Sequence, residues 1–276
     1  MIPVVLIHMG YQDYLRYSIL QACKNNKVYL IGDVRPFDDS DNFTFLEIGL
    51  YNGGTDLFLS DRLQKCYIHL NTTPEGYERF CYCRWIILNS FMEKHNLDTV
   101  FYIDSDVLLF ADVTSEWKKF DQYDMTLLHR STGSASFMTS RGLNNFLTMF
   151  FDIYENKDSY HFQKIKSHFD IRQKYGLDGG VCDMTLLEHF HYHAELGGGP
   201  GRVGEMMQII DRTTYDHNIN VSDQDFAMLD GFKHIKIIDK KPYVYNEKLK
   251  QDIKFNGLHF QGNAKRLMRD IYEQCN

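Results

Sequence analysis

Two aspartates, one residue apart, interrupt an apolar run. Val100, Phe101, Tyr102 and Ile103 lead into Asp104-Ser105-Asp106, and Val107, Leu108 and Leu109 follow. Burying an unpaired carboxylate is costly, so a pair in such surroundings calls for a cation between or beside its members. Hard divalent ions such as Mg²⁺ and Mn²⁺ are held in this way, by one or two carboxylates together with phosphate oxygens of a substrate. The plainer alternative is a capping or solvated pair. An apolar strand directly ahead of the aspartates, and a long helix ahead of that, favour the metal.

A second group stands near the C-terminus, 259-HFQGNAK-265. A neutral His259 imidazole is a candidate third metal ligand. Gly262 would let the backbone approach a phosphate, and the Lys265 ammonium would neutralise it. Singly, such residues are more often a structural histidine and a solvated lysine; combined with D-x-D, the spacing points to a diphosphate. A third candidate is Asp183, which follows Gly179-Gly180 in 178-DGGVCDMTLLEH-189. It reads as a base, a nucleophile or a hydroxyl clamp, or simply as the N-cap of the next helix.

Other features weigh less. Asp223 and Asp225 lack an apolar strand before them and read as a helix start. His189, His191 and His193 alternate, but no Glu follows the first, so this is not an H-E-x-x-H zinc site; an acceptor wall or plain surface is the expectation. The glycine-rich 197–205 lacks a P-loop ending and reads as a lid.

These residues need elements to position them. Residues 3–10 read as a buried strand, 13–26 as a helix with Asp13 as N-cap and Asn25-Asn26 as its stop, and 27–33 as a second strand. That is a βαβ unit, and hence a parallel sheet flanked by helices. In such sheets ligands bind at the carboxyl ends of the strands, which marks His8, Gly10 and Asp33 as lining a nucleotide crevice. A helix over 74–96 precedes the strand 98–103 that delivers the aspartates. Arg79 and Arg84, five apart on that helix, do not share a face, and Arg84 is the one expected in the site. Further on, 124–129 reads as a strand, 141–157 as a helix, 176–193 as a loop entering a helix, and 231–239 as a strand. A short strand and a terminal helix are expected within 254–274. The expectation is one compact α/β domain over 1–276 with a Rossmann-like, mostly parallel sheet.

The stretches YIDSDVLLF (102–110), HFQGNAK (259–265) and the Arg-bearing YERFCYCRW (77–85) resemble those of GT-A-fold glycosyltransferases. The ends of the chain resemble the glycogenin/galactosyltransferase-like retaining group, of family 8 type. The resemblance implies Asp104, Asp106 and His259 as ligands of Mn²⁺ or Mg²⁺ on the donor diphosphate, with Gly262 and Lys265 contacting the same group. It places Arg84 and Ser105 with the donor nucleotide, commonly UDP. The reaction it implies moves a sugar to a hydroxyl of a glycan, lipid-linked or protein acceptor, with residues 1–110 as the nucleotide-sugar-binding half and 111–276 as the acceptor-binding half and C-terminal metal/diphosphate segment.

The bulk properties narrow the field. A net charge of −7 and a pI near 5.9 exclude a broad basic nucleic-acid footprint. The six cysteines contain no CxxC pair, which suggests free thiols in a reducing compartment. No basic n-region and no membrane-length apolar run is present, so a cytoplasmic protein is expected, with peripheral membrane contact left open. Two rivals remain. A sugar-phosphate nucleotidyltransferase usually opens with a glycine- and basic-rich loop after strand one, where this chain has only HMGYQDY. The other is a carbohydrate-binding domain with a degenerate site.

Overall fold

The computed structural model describes residues 1–51, 61–195 and 201–276. The strands are β1 (Val4–His8), β2 (Val28–Gly32), β3 (Phe43–Glu47), β4 (Thr99–Ile103), β5 (Val107–Leu109), β6 (Met125–Leu127) and β7 (Ala135–Thr139). They continue with β8 (Val203–Glu205), β9 (Thr213–Tyr215), β10 (Met228–Leu229), β11 (Phe232–Lys233), β12 (Ile235–Ile238), β13 (Lys241–Asn246) and β14 (Gln251–His259). The helices are α1 (Asp13–Ala22), α2 (Asp61–Cys66), α3 (Glu75–Lys94), α4 (Val113–Glu116), α5 (Ser140–Glu155), α6 (Tyr160–Lys174), α7 (Asp183–Glu195) and α8 (Met268–Gln274).

A seven-stranded sheet runs β3-β2-β1-β4-β7-β6-β8. Its β3-β2-β1-β4 half is parallel, while β7 pairs antiparallel with both β4 and β6. Both faces are buried, so its strands read as continuous apolar runs rather than alternations. Val5, Ile7, Val100 and Tyr102 pack on one side with α3, α5 and α7 residues such as Trp85, Phe146 and Leu187. Val4, Leu6, Phe101 and Ile103 pack on the other side with Leu15 and Ile19 of α1.

The expectation of a mostly parallel sheet holds for this sheet and misses a second one. β12-β13-β14-β5 is antiparallel, with β9 added parallel to β14. Its β12-β13-β14 strands are successive hairpins, while β5 and β9 join them from far off in sequence: β5 Val107 faces His259 of β14.

Local expectations need correction at several points. α1 ends at Ala22, earlier than expected, and Asp13 lies in its first turn while Gln12 is the N-cap without a side-chain bond. Asn26 still marks the stop, donating to the Ala22 and Ala111 carbonyls and accepting from the Val113 N–H. No helix begins at Asp223: Gln224 and Asp225 both take positive φ in a turn. The proposed lid falls partly on 196–200, outside the described residues, and β8 occupies its end. The strands β3 and β13 and the helix α6 lie where no element was expected. Among the described residues no disulfide is formed. No helix among the described residues is long and apolar enough to cross a membrane.

Candidate active site at the junction of two sheets

Asp104-Ser105-Asp106 is the joint through which the chain passes from one sheet to the other, leaving β4 and entering β5. The Asp104 N–H donates to the Ser134 carbonyl at 2.8 Å, and the Val107 N–H to the Asp104 carbonyl at 3.1 Å. Beyond β14, the Phe260 N–H donates to the Asp106 carbonyl at 2.9 Å. Backbone bonds thus bring residues from opposite ends of the sequence together.

His259 Nε2 stands 3.3 Å from Asp106 Oδ1. Its Nδ1 faces the His217 carbonyl at 2.5 Å and Ser134 Oγ at 3.3 Å. A carbonyl only accepts, so Nδ1 carries a proton and Nε2 is the nitrogen left for the carboxylates. Candidate ligand atoms of Asp104, Asp106 and His259 all lie within 4.8 Å of one another. Two carboxylates and one imidazole at this separation are a donor set that fits Mn²⁺ or Mg²⁺. Without a metal, protein cations supply the counter-charge. Burial disfavours a charged His259, yet its hydrogen bond to Asp106 and the charges of Asp106 and Asp104 lift it to about 9. Burial also acts against Asp106 ionising, but His259 and Lys265, whose Nζ lies 2.6 Å from Asp106 Oδ2, hold its carboxyl well below the usual carboxylate range. A metal would replace the imidazole proton, as metal binding to histidine generally does.

Asp104 is held from the helix side. Its Oδ1 accepts from Arg84 Nη1 and from Tyr102 Oη, each at 2.8 Å. The same guanidinium reaches Asp183, with Nη2 at 2.5 Å and Nε at 3.2 Å from Oδ2, and Trp85 Nε1 donates to that oxygen at 2.9 Å. Asp183 opens α7 rather than capping it, and its side chain is buried. The structure therefore joins Asp104, Arg84 and Asp183, three of the expected site residues, in one ion-paired chain. Arg79 instead pairs with Glu75.

A cleft of about 540 Å³ opens over these groups, walled by Arg84, Asp104, Asp106, Asp183, His259 and Lys265 among others. His8, Gly10, Asp33, Ser105 and Gly262 are not part of its wall. Gly10, at φ +74°, donates its N–H to Asp33 Oδ1 at 2.7 Å, tying the ends of β1 and β2 together. His8 Nε2 is buried without a partner, and burial keeps its pKa below the ordinary value. Ser105 lies beside the Tyr14 hydroxyl, whose pKa burial raises. Gly262 takes φ +62°, and a Cβ there would meet nothing within 4 Å. Its left-handed backbone, not lack of space, is what asks for glycine.

Several participants escaped the sequence reading. Tyr102 looked like strand core; its place beside the aspartates was the available signal. Glu78 lines the cleft from the first turn of α3, taking a 2.5 Å hydrogen bond from Thr73 Oγ1 while its Oε2 has no partner. Behind His259, Lys233 Nζ is buried between Asp216 and Asp223, 2.7 Å from each. Asp216 Oδ2 also accepts the His259 N–H at 3.3 Å. So Asp223, read as a helix start, supports the floor of the site.

No family model matches the chain. No curated protein matches it. Among solved structures it is similar to mouse xyloside xylosyltransferase 1, at TM-score 0.49 and 8% identity over 77% of this chain and 87% of that one. It is similar to a glycosyltransferase involved in glycosylating the major capsid of PBCV-1, at TM-score 0.40 and 11% identity over 98% of both chains. An active-site mutant of LgtC gives TM-score 0.37 and 10% identity over 67% of this chain and 69% of that one. The first two are glycosyltransferases by name. The likeness stands as likeness alone.

Proposed function

We propose that the cleft binds a divalent cation, Mn²⁺ or Mg²⁺, on the diphosphate of a nucleotide-sugar donor, with UDP the first candidate, and that the chain transfers the sugar to a hydroxyl of a glycan or glycoconjugate acceptor. The observation that carries this reading is the convergence of Asp104, Asp106 and His259 on one point, with the Lys265 ammonium at its edge.

A divalent ion held there would offset the negative charge that builds on a departing diphosphate. Lys265 is the partner that can turn to the donor: its side chain is 32% exposed, and a phosphate offers it a second anion. Arg84 keeps Asp104 oriented and anchored through Asp183. Because Asp183 Oδ2 already accepts from Arg84 and Trp85, a clamp through Oδ1 on a sugar hydroxyl suits it better than nucleophilic attack. The unpartnered His8 Nε2 and the exposed Asp33 are placed at the strand ends for the nucleoside. Ser105 and Gly262, beside the metal ligands, contribute backbone for the diphosphate. Retention of configuration is the expected outcome, with the leaving phosphate taking the acceptor proton.

The deciding experiment is calorimetric titration with UDP and GDP, with and without Mn²⁺, on the wild type and on Asp104→Ala/Asp106→Ala. Nucleotide binding that needs both metal and aspartates supports the proposal. Binding indifferent to both overturns it. Product analysis then separates transfer to an acceptor from the nucleotidyltransferase reaction, which forms pyrophosphate.

A further inference from the structure

A second cavity, of about 520 Å³, has a wall that shares no residue with the cleft. Three histidines enter it: His161 from the first turn of α6, and His189 and His193, one turn apart on α7. His189 Nε2 lies 2.9 Å from His161 Nδ1 and 3.2 Å from His193 Nε2. The rings stand edge-on to one another, with centroids 4.6, 4.8 and 5.0 Å apart and interplanar angles of 72°, 71° and 65°.

Hydrogen bonding does not account for this arrangement. An imidazole nitrogen has a single in-plane position, occupied by either a proton or a lone pair. His189 Nε2 can therefore satisfy one of its two neighbours and not the other. A cation at the centre accepts all three lone pairs at once. Around tetrahedral zinc, with Zn–N bonds of about 2.0–2.1 Å, ligand nitrogens stand about 3.3–3.4 Å apart. The 3.2 Å separation lies close to that edge, the 2.9 Å one falls about 0.5 Å short of it, and the ligand nitrogens of all three lie within 4.8 Å of one another.

We propose that His161, His189 and His193 form a second metal site, for Zn²⁺ or a similar borderline transition ion, with the fourth position facing the cavity. An all-imidazole donor set favours such ions over Mg²⁺ and Mn²⁺, the reverse of the carboxylate-rich cleft. The site would tie α6 to α7. The former buries only Phe162 and Ile165 and is otherwise weakly anchored; the latter opens with Asp183, the partner of Arg84. A metal here thus braces the helix that orients the cleft.

The test uses tag-free, chelator-stripped protein titrated with Co²⁺, followed by the visible d–d absorption of a tetrahedral ion, and then with Zn²⁺. One equivalent of Co²⁺ should give the band, and Zn²⁺ should abolish it. His161→Gln, His189→Gln and His193→Gln should each weaken Zn²⁺ binding by more than the roughly 10–100-fold cost of losing an outer-shell partner. Circular dichroism identifies the variants that remain folded, and His161→Gln, in a first turn, is the mildest of them. Asp104→Ala/Asp106→Ala should leave the band intact. Absence of the band in folded wild type, its survival through all three substitutions, or its loss only in the double aspartate variant overturns the proposal. The cleft reading is unaffected either way.

Discussion

Lys265 Nζ rests 2.6 Å from Asp106 Oδ2, so a lysine beyond the last strand occupies an oxygen that a divalent ion would need. The ammonium and the ion compete for that carboxylate until a phosphate gives the ammonium another partner. Lys265→Ala should therefore bind Mn²⁺ alone more tightly than wild type does. It should bind the Mn²⁺–nucleotide complex more weakly, by about tenfold or more, the usual worth of a hydrogen bond to a charged group. Paired titrations with metal alone and with metal plus nucleotide show whether the two affinities move in opposite directions.

Asp183 and Arg84 lie 99 residues apart in sequence and form a largely buried pair. Removing one member strands the other: Asp183→Ala leaves a buried guanidinium half-compensated and the Trp85 N–H without its acceptor. The expected cost is about 3–5 kcal/mol, the range for breaking a buried pair. Urea unfolding measures it, and a loss below about 1 kcal/mol would mean that water replaces the carboxylate.

Burial holds the Glu78 carboxyl above its ordinary value of 4.5, against the opposing hydrogen bond from Thr73, while the Asp183 charge pushes the same way as burial. A raised folded pKa means that the protonated form is favoured by folding. Its contribution is full below about 4.5 and is lost as pH rises through the folded value. Glu78→Gln cannot ionise and should be more stable than wild type at neutral pH, with the gap closing in acid. Unfolding curves at several pH values test this; a constant gap would assign the effect to packing instead.

Gly180 passes between the loop at Leu70-Asn71 and α6. A Cβ there would sit 2.7 Å from Asn71 Cα and 2.9 Å from the Phe169 ring, and closer still to the Leu70 carbonyl. Gly180→Ala should cost at least the 1–3 kcal/mol typical of overpacking, that is about 1 kcal/mol or more. It should also reduce nucleotide affinity by shifting Asp183, three residues on. Thermal unfolding and a nucleotide titration of the same variant check both effects.

The parts of this architecture that were legible in the sequence are those in which charge and burial disagree. Asp104 and Asp106 stood out because carboxylates inside an apolar run need an explanation, and the βαβ start was plain because both faces of that sheet are covered. The second sheet was hidden. Its β12-β13-β14 hairpins are local, but the sheet is completed by joining Val107 to His259 and Thr214 to Phe255, and no local pattern carries such a register. α6 escaped because so little of it is buried. Tyr102 was read as core because its ring is buried, although its hydroxyl reaches Asp104. Lys233 was overlooked because its carboxylate partners become neighbours only on folding.

The joint at 104–106 also bears on when the protein becomes competent. Its two aspartates are placed as β4 pairs with β1, but the imidazole arrives only when β14 docks on β5, closing one of the longest loops in the chain. Contacts so distant in sequence carry a loop-closure cost that local contacts do not. A chain that has built only the β3-β2-β1-β4 strands and α3 holds two of the three ligands, with Asp104 paired to Arg84 and Asp106 without its cations. Cation capture would therefore report completion of the fold, and saturating metal should protect the last strands from hydrogen exchange more than the first.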